Sequence, residues 1–156
     1  MEAERDMQEL HPLISEAIKD GGQFVLVPKG VSMLPTIVPL KDSIVLVEPE
    51  NLQKNDIVLY KRNNGMYVAH RIIKIKDGEY IICGDNQTAL EYGVRRPMII
   101  AKVDRILKED GRVVDSQQIR SKGNFLIELR RVKRRIINCV KRLLHPVYKL
   151  MFKKKR

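Results

Sequence analysis

Apolar side chains in the first twenty residues recur at helical spacing. They would form one face of a short amphipathic helix, made up of Leu10, Leu13, Ile14, Ala17 and Ile18. Gly21 and Gly22 follow directly and are expected to end this helix, whereas Pro12 leaves its start open. We therefore take residues 1–22 as an N-terminal helical segment.

From residue 23 the pattern changes to short runs of β-branched and other apolar residues, which are typical of strands. The runs read QFVLV, SIVLVE, DIVLYKR, MYVAHRIIKI, EYIIC, MIIAKVDRIL and RVVD. Turn-forming pairs stand between several of them, at Asn64-Gly65, Asp77-Gly78 and Asp110-Gly111. The sequence therefore predicts a mostly β fold, with an antiparallel β domain over residues 23–118.

After Gly123 the apolar residues return to helical spacing. On a helical wheel of about 100° per residue one face is apolar, and the basic residues outside it are Arg130, Arg131, Arg134, Arg135, Lys141 and Arg142. Lys133 interrupts the apolar face, and Pro146 is expected to kink or end the helix. Residues 119–156 are therefore predicted to form a basic amphipathic helical tail.

Charge is distributed unevenly along the chain. The formal net charge is +11, and residues 120–156 hold 14 basic residues but only one acidic residue, Glu128. This asymmetry indicates an ordinary domain with a basic appendage that meets an anionic partner, and it excludes a wholly basic nucleic-acid coat. With 44% hydrophobic residues, the chain is also too apolar to be disordered.

The cysteines and the hydropathy of the chain indicate its cellular location. Cys83 and Cys139 lie in different segments, so we expect reduced thiols rather than a disulfide framework or a metal site. No stretch reaches the roughly 18–20 apolar residues of a membrane span, and the N-terminus is acidic where a signal peptide would be basic. These features favour a cytoplasmic protein.

Three short segments contain residues suited to catalysis, and the first surrounds a serine. Residues 30–36 read GVSMLPT and place Ser32 after a strand, between Gly30 and Pro35. Such a turn can present a hydroxyl and an adjacent backbone N–H to one point, as a nucleophile with an oxyanion donor requires. A strand-ending turn serine without function is the alternative.

The other two segments supply a histidine and carboxylates. His70 lies in an apolar strand with Val68 and Ile72, and a neutral imidazole can accept a serine proton near pH 7. Asp85 and Glu91 follow a strand end, where a carboxylate could orient an imidazole or hold a loop. A core histidine and an ordinary polar turn are the alternatives.

The order of these segments is more specific than any one of them. Val-Ser-Met-Leu-Pro-Thr, then His-Arg-Ile, then Gly-Asp-Asn resemble the boxes of the serine peptidase superfamily of type I signal peptidases and LexA-type self-cleaving repressors. The resemblance covers residues 23–107 and includes a segment similar to the family's Gly-Asp-Ile-Val box, with Asn55 in place of glycine. His70 matches the endoplasmic-reticulum and archaeal branch, which uses histidine rather than lysine as the base.

The resemblance implies a signal-peptidase/LexA-like β domain in which Ser32 is the nucleophile and His70 the general base. Asp85 matches the aspartate of the Gly-Asp-Asn box, Glu91 stands where that branch commonly has a further aspartate, and which of the two orients His70 stays open. The residues implied for the serine turn and the oxyanion site are Gly30, Ser32, Met33 and Pro35. No metal or organic cofactor is required.

Substrates of the superfamily enter by strand addition, in which an extended peptide pairs with exposed edges near the serine. Small residues at the cleavage site are the family expectation. The residues that we expect to line the substrate pocket are Phe24, Leu26, Val31, Tyr67, Val68 and Ala69.

The favoured function is a serine endopeptidase that removes a leader or signal-like segment from a peptide or protein. A non-catalytic module that binds peptides or membranes on the same fold is the alternative. A DNA-binding repressor is disfavoured because residues 1–22 are too few for its DNA-binding module. Signal peptidases of this branch carry a transmembrane anchor before the serine, and the acidic residues here disfavour one, so general secretory processing is not expected.

The basic tail suits the cytoplasmic face of a membrane, where apolar side chains enter the headgroup boundary and each cation adds about 1 kcal/mol. A partner protein or the chain's own sheet could cover the apolar face instead. Nucleic acid is disfavoured because aromatic residues are few and Trp is absent. We expect a cytoplasmic protein, peripheral at the inner face of the membrane, and predict no oligomeric state.

Overall fold

The computed structural model of the chain describes residues 2–123, with side chains from Met7 onward. It also describes seven residues farther along, namely Phe125, Leu129, Val132, Arg135, Ile136, Cys139 and Val140. Of the six basic residues predicted outside the apolar face of the tail, Arg135 is helical and exposed. The other five lie outside the described residues: Arg130, Arg131, Arg134, Lys141 and Arg142.

An N-terminal helix precedes eight strands. The helix α1 spans Glu2–Ala17, with Pro12 inside it, and it therefore begins earlier than the apolar spacing alone indicates. The strands are β1 (Phe24–Leu26), β2 (Ser43–Val47), β3 (Ile57–Lys61), β4 (Tyr67–Lys76), β5 (Glu79–Cys83), β6 (Glu91–Arg95), β7 (Ile99–Leu107) and β8 (Val113–Asp115). A second helix, α2, begins at residue 116 and continues through residue 123.

All strand pairs are antiparallel and belong to one sheet. Its order is β1-β2-β7-β3-β4-β5-β6, and β8 pairs with β7. The hairpins predicted at Asn64-Gly65, Asp77-Gly78 and Asp110-Gly111 connect β3 to β4, β4 to β5 and β7 to β8. The mostly β, antiparallel prediction is thereby confirmed.

The central strand β3 is buried on both faces of the sheet. Ile57 and Leu59 point into one apolar cluster, while Val58 and Tyr60 point into a second. Helix α1 covers the first cluster with Ile14, and Ile18, which directly follows the helix, is buried there as well, whereas Leu13 faces solvent. Strand β3 consequently lies between two cores, and its neighbour β4 carries His70.

Strand β6 is an element that the sequence pattern did not predict. Its only buried residue is Val94, and Gly93 within it has a φ of 74°, so neither an alternating nor a β-branched pattern marks it. It pairs with β5 and places Glu91 opposite Ile82. This strand contributes a carboxylate to the candidate site.

Helix α2 begins within the range assigned to the β domain and packs against it. Ile119 is buried in the first core cluster, and Arg120 forms an ion pair with Asp56 at 3.2 Å. The Asn55 amide nitrogen donates to the Arg120 carbonyl at 3.1 Å. Among the described residues, no helix combines the length and the hydropathy that a membrane span requires.

Candidate active site

Ser32 lies in a short 3-10 turn, Val31–Met33, that follows the edge strand β1. Met33 is buried in the core and fixes the inner side of the turn, while Val31 is exposed. Gly30 precedes the turn in an extended conformation, and the Leu34-Pro35 peptide bond after it is cis. The half-buried Ser32 is thus held between a buried anchor and the surface.

His70 lies in β4, opposite Val58 of β3, and is fully buried. Its Nδ1 atom is 2.9 Å from Oε1 of Glu91. Its Nε2 atom is also buried but has no hydrogen-bond partner among the described residues. The Nδ1 atom is therefore held by a carboxylate, whereas the Nε2 atom can still accept a hydrogen bond from a further donor.

Besides His70, two side chains hold the Glu91 carboxylate in place. Arg62 donates twice, from Nε to Oε2 at 2.8 Å and from Nη2 to Oε1 at 2.5 Å. The Tyr60 hydroxyl donates to Oε2 at 2.7 Å and lies 3.3 Å from Nδ1 of His70. Tyr60 and Arg62 were not predicted as site residues, because their partner Glu91 comes from a strand that the pattern did not reveal.

The site favours a neutral histidine beside a charged carboxylate. Burial lowers the pKa of His70 below its ordinary value, and the charge of Glu91 offsets only part of this effect. Burial raises the pKa of Glu91, but hydrogen bonds from Arg62 and Tyr60 outweigh it, so its pKa lies below the ordinary range. A charged Glu91 favours the proton on Nδ1 and leaves the lone pair of Nε2 free.

Gly84 brings the serine turn close to this free nitrogen. A Cβ atom at position 84 would lie 2.7 Å from the Ser32 carbonyl oxygen and 3.0 Å from Nε2 of His70. Both atoms therefore border the same glycine, and a larger residue would push against each of them. The structure thus brings Ser32 and His70 together around Gly84.

Arg71 holds the carboxylate of Asp85, the other acidic candidate for orienting His70. Arg71 donates to both of its oxygens, from Nε at 2.8 Å and from Nη2 at 2.7 Å, in a fully buried ion pair. The Thr36 hydroxyl donates to it at 2.5 Å, and the next residue, Asn86, donates its N–H to the Ser32 carbonyl at 2.8 Å. Asp85 thereby fixes the loop that borders the serine turn, while Glu91 contacts the imidazole.

An apolar cavity of about 290 Å³ lies beside Ser32. Four of the expected pocket residues line it: Leu26, Tyr67, Val68 and Ala69. Phe24 packs against the core instead, and the side chain of Val31 faces solvent. The sequence did not predict that Met7 and Leu10 of α1 also line the cavity, because a helix–sheet contact leaves no local signal.

A groove of about 810 Å³ that is lined mostly by polar residues lies along the loop that borders the serine turn. Arg62 and Glu91 line it, together with the loop residues Asn86, Gln87 and Thr88. Since Asn86 also donates to the Val31 carbonyl at 3.3 Å, this groove and the apolar cavity flank the same turn. Of these two depressions, the apolar cavity is the one that Ser32 itself lines.

Comparisons with known proteins identify no relative of this chain. No family model, curated protein or solved structure matches it. The functional assignment therefore depends on the residues of the site and on their geometry.

Proposed function

We propose that this chain is a serine endopeptidase of the signal-peptidase/LexA-type superfamily, with Ser32 as nucleophile, His70 as general base and Glu91 as the residue that orients His70. The observation that carries this proposal is the setting of His70. Its Nδ1 atom faces a carboxylate at 2.9 Å, and its buried, unpartnered Nε2 atom borders the same glycine as Ser32.

In the proposed mechanism, one proton moves from Ser32 to His70 and then to the leaving amine. Nε2 of His70 accepts the hydroxyl proton of Ser32 as Oγ attacks the carbonyl carbon of the scissile peptide bond. The backbone N–H of Ser32 donates to the oxyanion of the tetrahedral intermediate. His70 then gives its proton to the leaving amine, and a water that it deprotonates hydrolyses the acyl-enzyme.

The substrate in this proposal is an extended peptide with a small apolar residue before the scissile bond. Strand β1 ends the sheet and pairs only with β2 among the described strands, so its outer edge can accept a further strand. The adjacent cavity is apolar and of modest volume, and Leu10 and Met7 narrow it. These features support removal of a leader or signal-like segment.

The superfamily assignment is supported by a backbone detail at Asn55. Its φ of 76° lies in the left-handed region, which glycine adopts freely and asparagine adopts more readily than other residues. Asn55 stands where the resembling box has glycine. Asn55 can therefore adopt the left-handed conformation that is open to the glycine of the box. The cytoplasmic location expected from the sequence stays a prediction.

The proposal is tested by comparing protein N-termini in cells that express the wild type, Ser32→Ala or Ser121→Ala at equal levels. Ser121 is exposed and lies in α2, so its loss controls for expression and handling. We expect a small set of N-termini that occur with the wild type and Ser121→Ala but vanish with Ser32→Ala. Identical sets in all three would contradict the proposal and favour the non-catalytic, peptide-binding alternative.

A further inference from the structure

The C-terminal segment presents an apolar helical face to solvent. Five described residues form it, and each is helical: Phe125, Leu129, Val132, Ile136 and Val140. Their exposed fractions range from 46% for Val140 to 70% for Phe125. An exposed, contiguous apolar surface of this kind normally marks an interaction site.

At α-helical spacing these five residues share one narrow side. Successive members are separated by three or four residues, which at about 100° per residue confines them to an arc of roughly 80°. We call them the apolar face of the tail. Such a stripe can be buried along its whole length by a flat surface.

The base of this helix is fixed to the β domain. Arg71 donates to the Ile119 carbonyl at 2.9 Å, and Arg120 pairs with Asp56. A Cβ atom at Gly123 would lie 2.8 Å from the Asn55 side chain, so the helix passes close to the domain just before the apolar face begins. The contacts from Ile119 to Gly123 therefore join the tail to the candidate catalytic domain directly.

Cations accompany the apolar face. Residues 120–156 hold 14 basic residues against the single acidic residue Glu128. Two of the cations are described and exposed: Arg135 within the stretch, and Lys122, which lines a cavity of about 300 Å³ together with Phe125. The partner of this surface should therefore be both apolar and anionic.

We propose that the apolar face of the tail inserts into the headgroup boundary of an anionic lipid bilayer and docks the β domain on its surface. A bilayer with anionic headgroups combines an apolar interior, which receives Phe125 and Leu129, with a negative surface, which attracts the cations. RNA would use the cations and leave the apolar side chains in water. A lipid surface is the occupant that satisfies both features.

The test is co-sedimentation of the full chain with two kinds of vesicle in a buffer containing on the order of 0.1 M salt. One kind consists of phosphatidylcholine alone, and the other also contains about 30 mol% phosphatidylglycerol, which is anionic. We expect binding to the anionic vesicles that is at least about tenfold tighter than to the neutral ones and that weakens as salt is raised. The variant Leu129→Ser with Ile136→Ser should bind the anionic vesicles at least about tenfold more weakly.

Two control variants test whether vesicle binding depends on the apolar face of the tail rather than on other exposed apolar residues or on the candidate active site. Leu13→Ser with Ile75→Ser also removes two exposed apolar side chains, from α1 and from the end of β4, and should bind as the wild type does. Ser32→Ala should likewise bind normally, so that failure of docking and failure of the peptidase proposal can be told apart.

Several results would overturn the proposal. One is equal wild-type binding to both vesicle types, and another is undiminished binding by Leu129→Ser with Ile136→Ser. Sedimentation equilibrium that shows a dimer lost in this double variant would assign the apolar face to a second copy instead. Tighter binding of a single-stranded RNA than of anionic vesicles, unaffected by the two serine substitutions, would assign the basic tail to nucleic acid.

Discussion

The Nδ1 atom of His70 lies 2.9 Å from Oε1 of Glu91, although the two residues come from strands that are not neighbours in the sheet. Strand β5 lies between β4, which carries His70, and β6, which begins at Glu91. Tyr60 of β3 and Arg62, which directly follows that strand, also donate hydrogen bonds to the Glu91 carboxylate. A charged Glu91 is thereby placed to fix the tautomer of His70.

Replacement of Glu91 by glutamine tests this orienting role. The amide keeps the shape of the side chain but loses the charge that stabilises the protonated imidazole, so we expect kcat to fall roughly 10²- to 10⁴-fold. The measurement is kcat for a peptide spanning an identified cleavage site.

Glu79→Gln is the control, because it alters only an exposed ion pair with Arg95, and it should retain wild-type kcat. Wild-type kcat in Glu91→Gln would show that Glu91 has no part in the proposed mechanism.

Replacement of Arg62 by glutamine should change the pH profile as well as the rate. The Arg62 charge helps to lower the pKa of His70, so its removal raises that pKa and moves the acidic limb of kcat/KM to higher pH. We also expect kcat to fall roughly 10- to 100-fold as Glu91 loses two hydrogen bonds. Arg95→Gln is the control, and an unshifted limb in Arg62→Gln would show that Arg62 is only structural.

The protonation of His70 should also be visible in folding stability, without any substrate. Burial lowers the pKa of His70 in the folded protein, whereas the unfolded chain titrates near pH 6.5. The unfolded state therefore binds the proton more readily, and the free energy of unfolding should decrease as pH falls below about 6.5 toward the folded-state pKa.

Urea unfolding between pH 7.5 and pH 5 measures this dependence. His70→Gln should lose less stability over the interval than the wild type does. Burial lowers the pKa of His11 as well, but His11 is only half-buried, so His11→Gln should remove a smaller part of the dependence. An equal pH dependence in the wild type and His70→Gln would be the contrary result.

Much of the fold was predictable from local patterns. Seven of the eight strands coincide with apolar runs, and glycines at 65, 78 and 111 mark three hairpins because their φ values are positive. Strand β6 was missed because one buried residue, Val94, produces no pattern. Its position depends on pairing with β5, which is a tertiary property.

The site was predictable only in part, and for a related reason. The ordered boxes contain Ser32, His70 and Asp85, and the resemblance adds Glu91, but nothing local distinguishes the partners of the two carboxylates. Sheet order brings Glu91 to His70, and the neighbouring Arg71 takes Asp85. The contribution of Leu10 to the cavity likewise follows from helix packing and not from spacing.

Replacement of Gly84 by alanine should strongly lower the proposed peptidase activity while leaving the fold intact. The added methyl would lie 2.7 Å from the Ser32 carbonyl oxygen and 3.0 Å from Nε2 of His70, so the turn and the imidazole must separate. Displacement of this size is expected to lower kcat about 100-fold. Gly111→Ala, which strains a distant turn by about 1 kcal/mol, should keep wild-type kcat; equal kcat in both variants would contradict the close approach.

Replacement of Arg71 by methionine should destabilise the fold more than any exposed charge substitution. The side chain is fully buried and donates to Asp85 and to the carbonyls of Asn55 and Ile119, so its loss leaves one charge and two acceptors without these donors. Removing one partner of such a pair costs about 3–5 kcal/mol. Arg95→Met, which breaks an exposed pair, should cost less than about 1 kcal/mol.

The double variant Arg71→Met with Asp85→Asn distinguishes a charge effect from a packing effect. If the cost of Arg71→Met arises from the uncompensated Asp85 charge, neutralising that carboxyl should recover part of the lost free energy of unfolding in urea. No recovery would attribute the cost to the two carbonyls instead. Either way, loss of the Arg71 contacts should loosen the loop at Asn86, whose N–H bonds to Ser32, so kcat should fall together with stability.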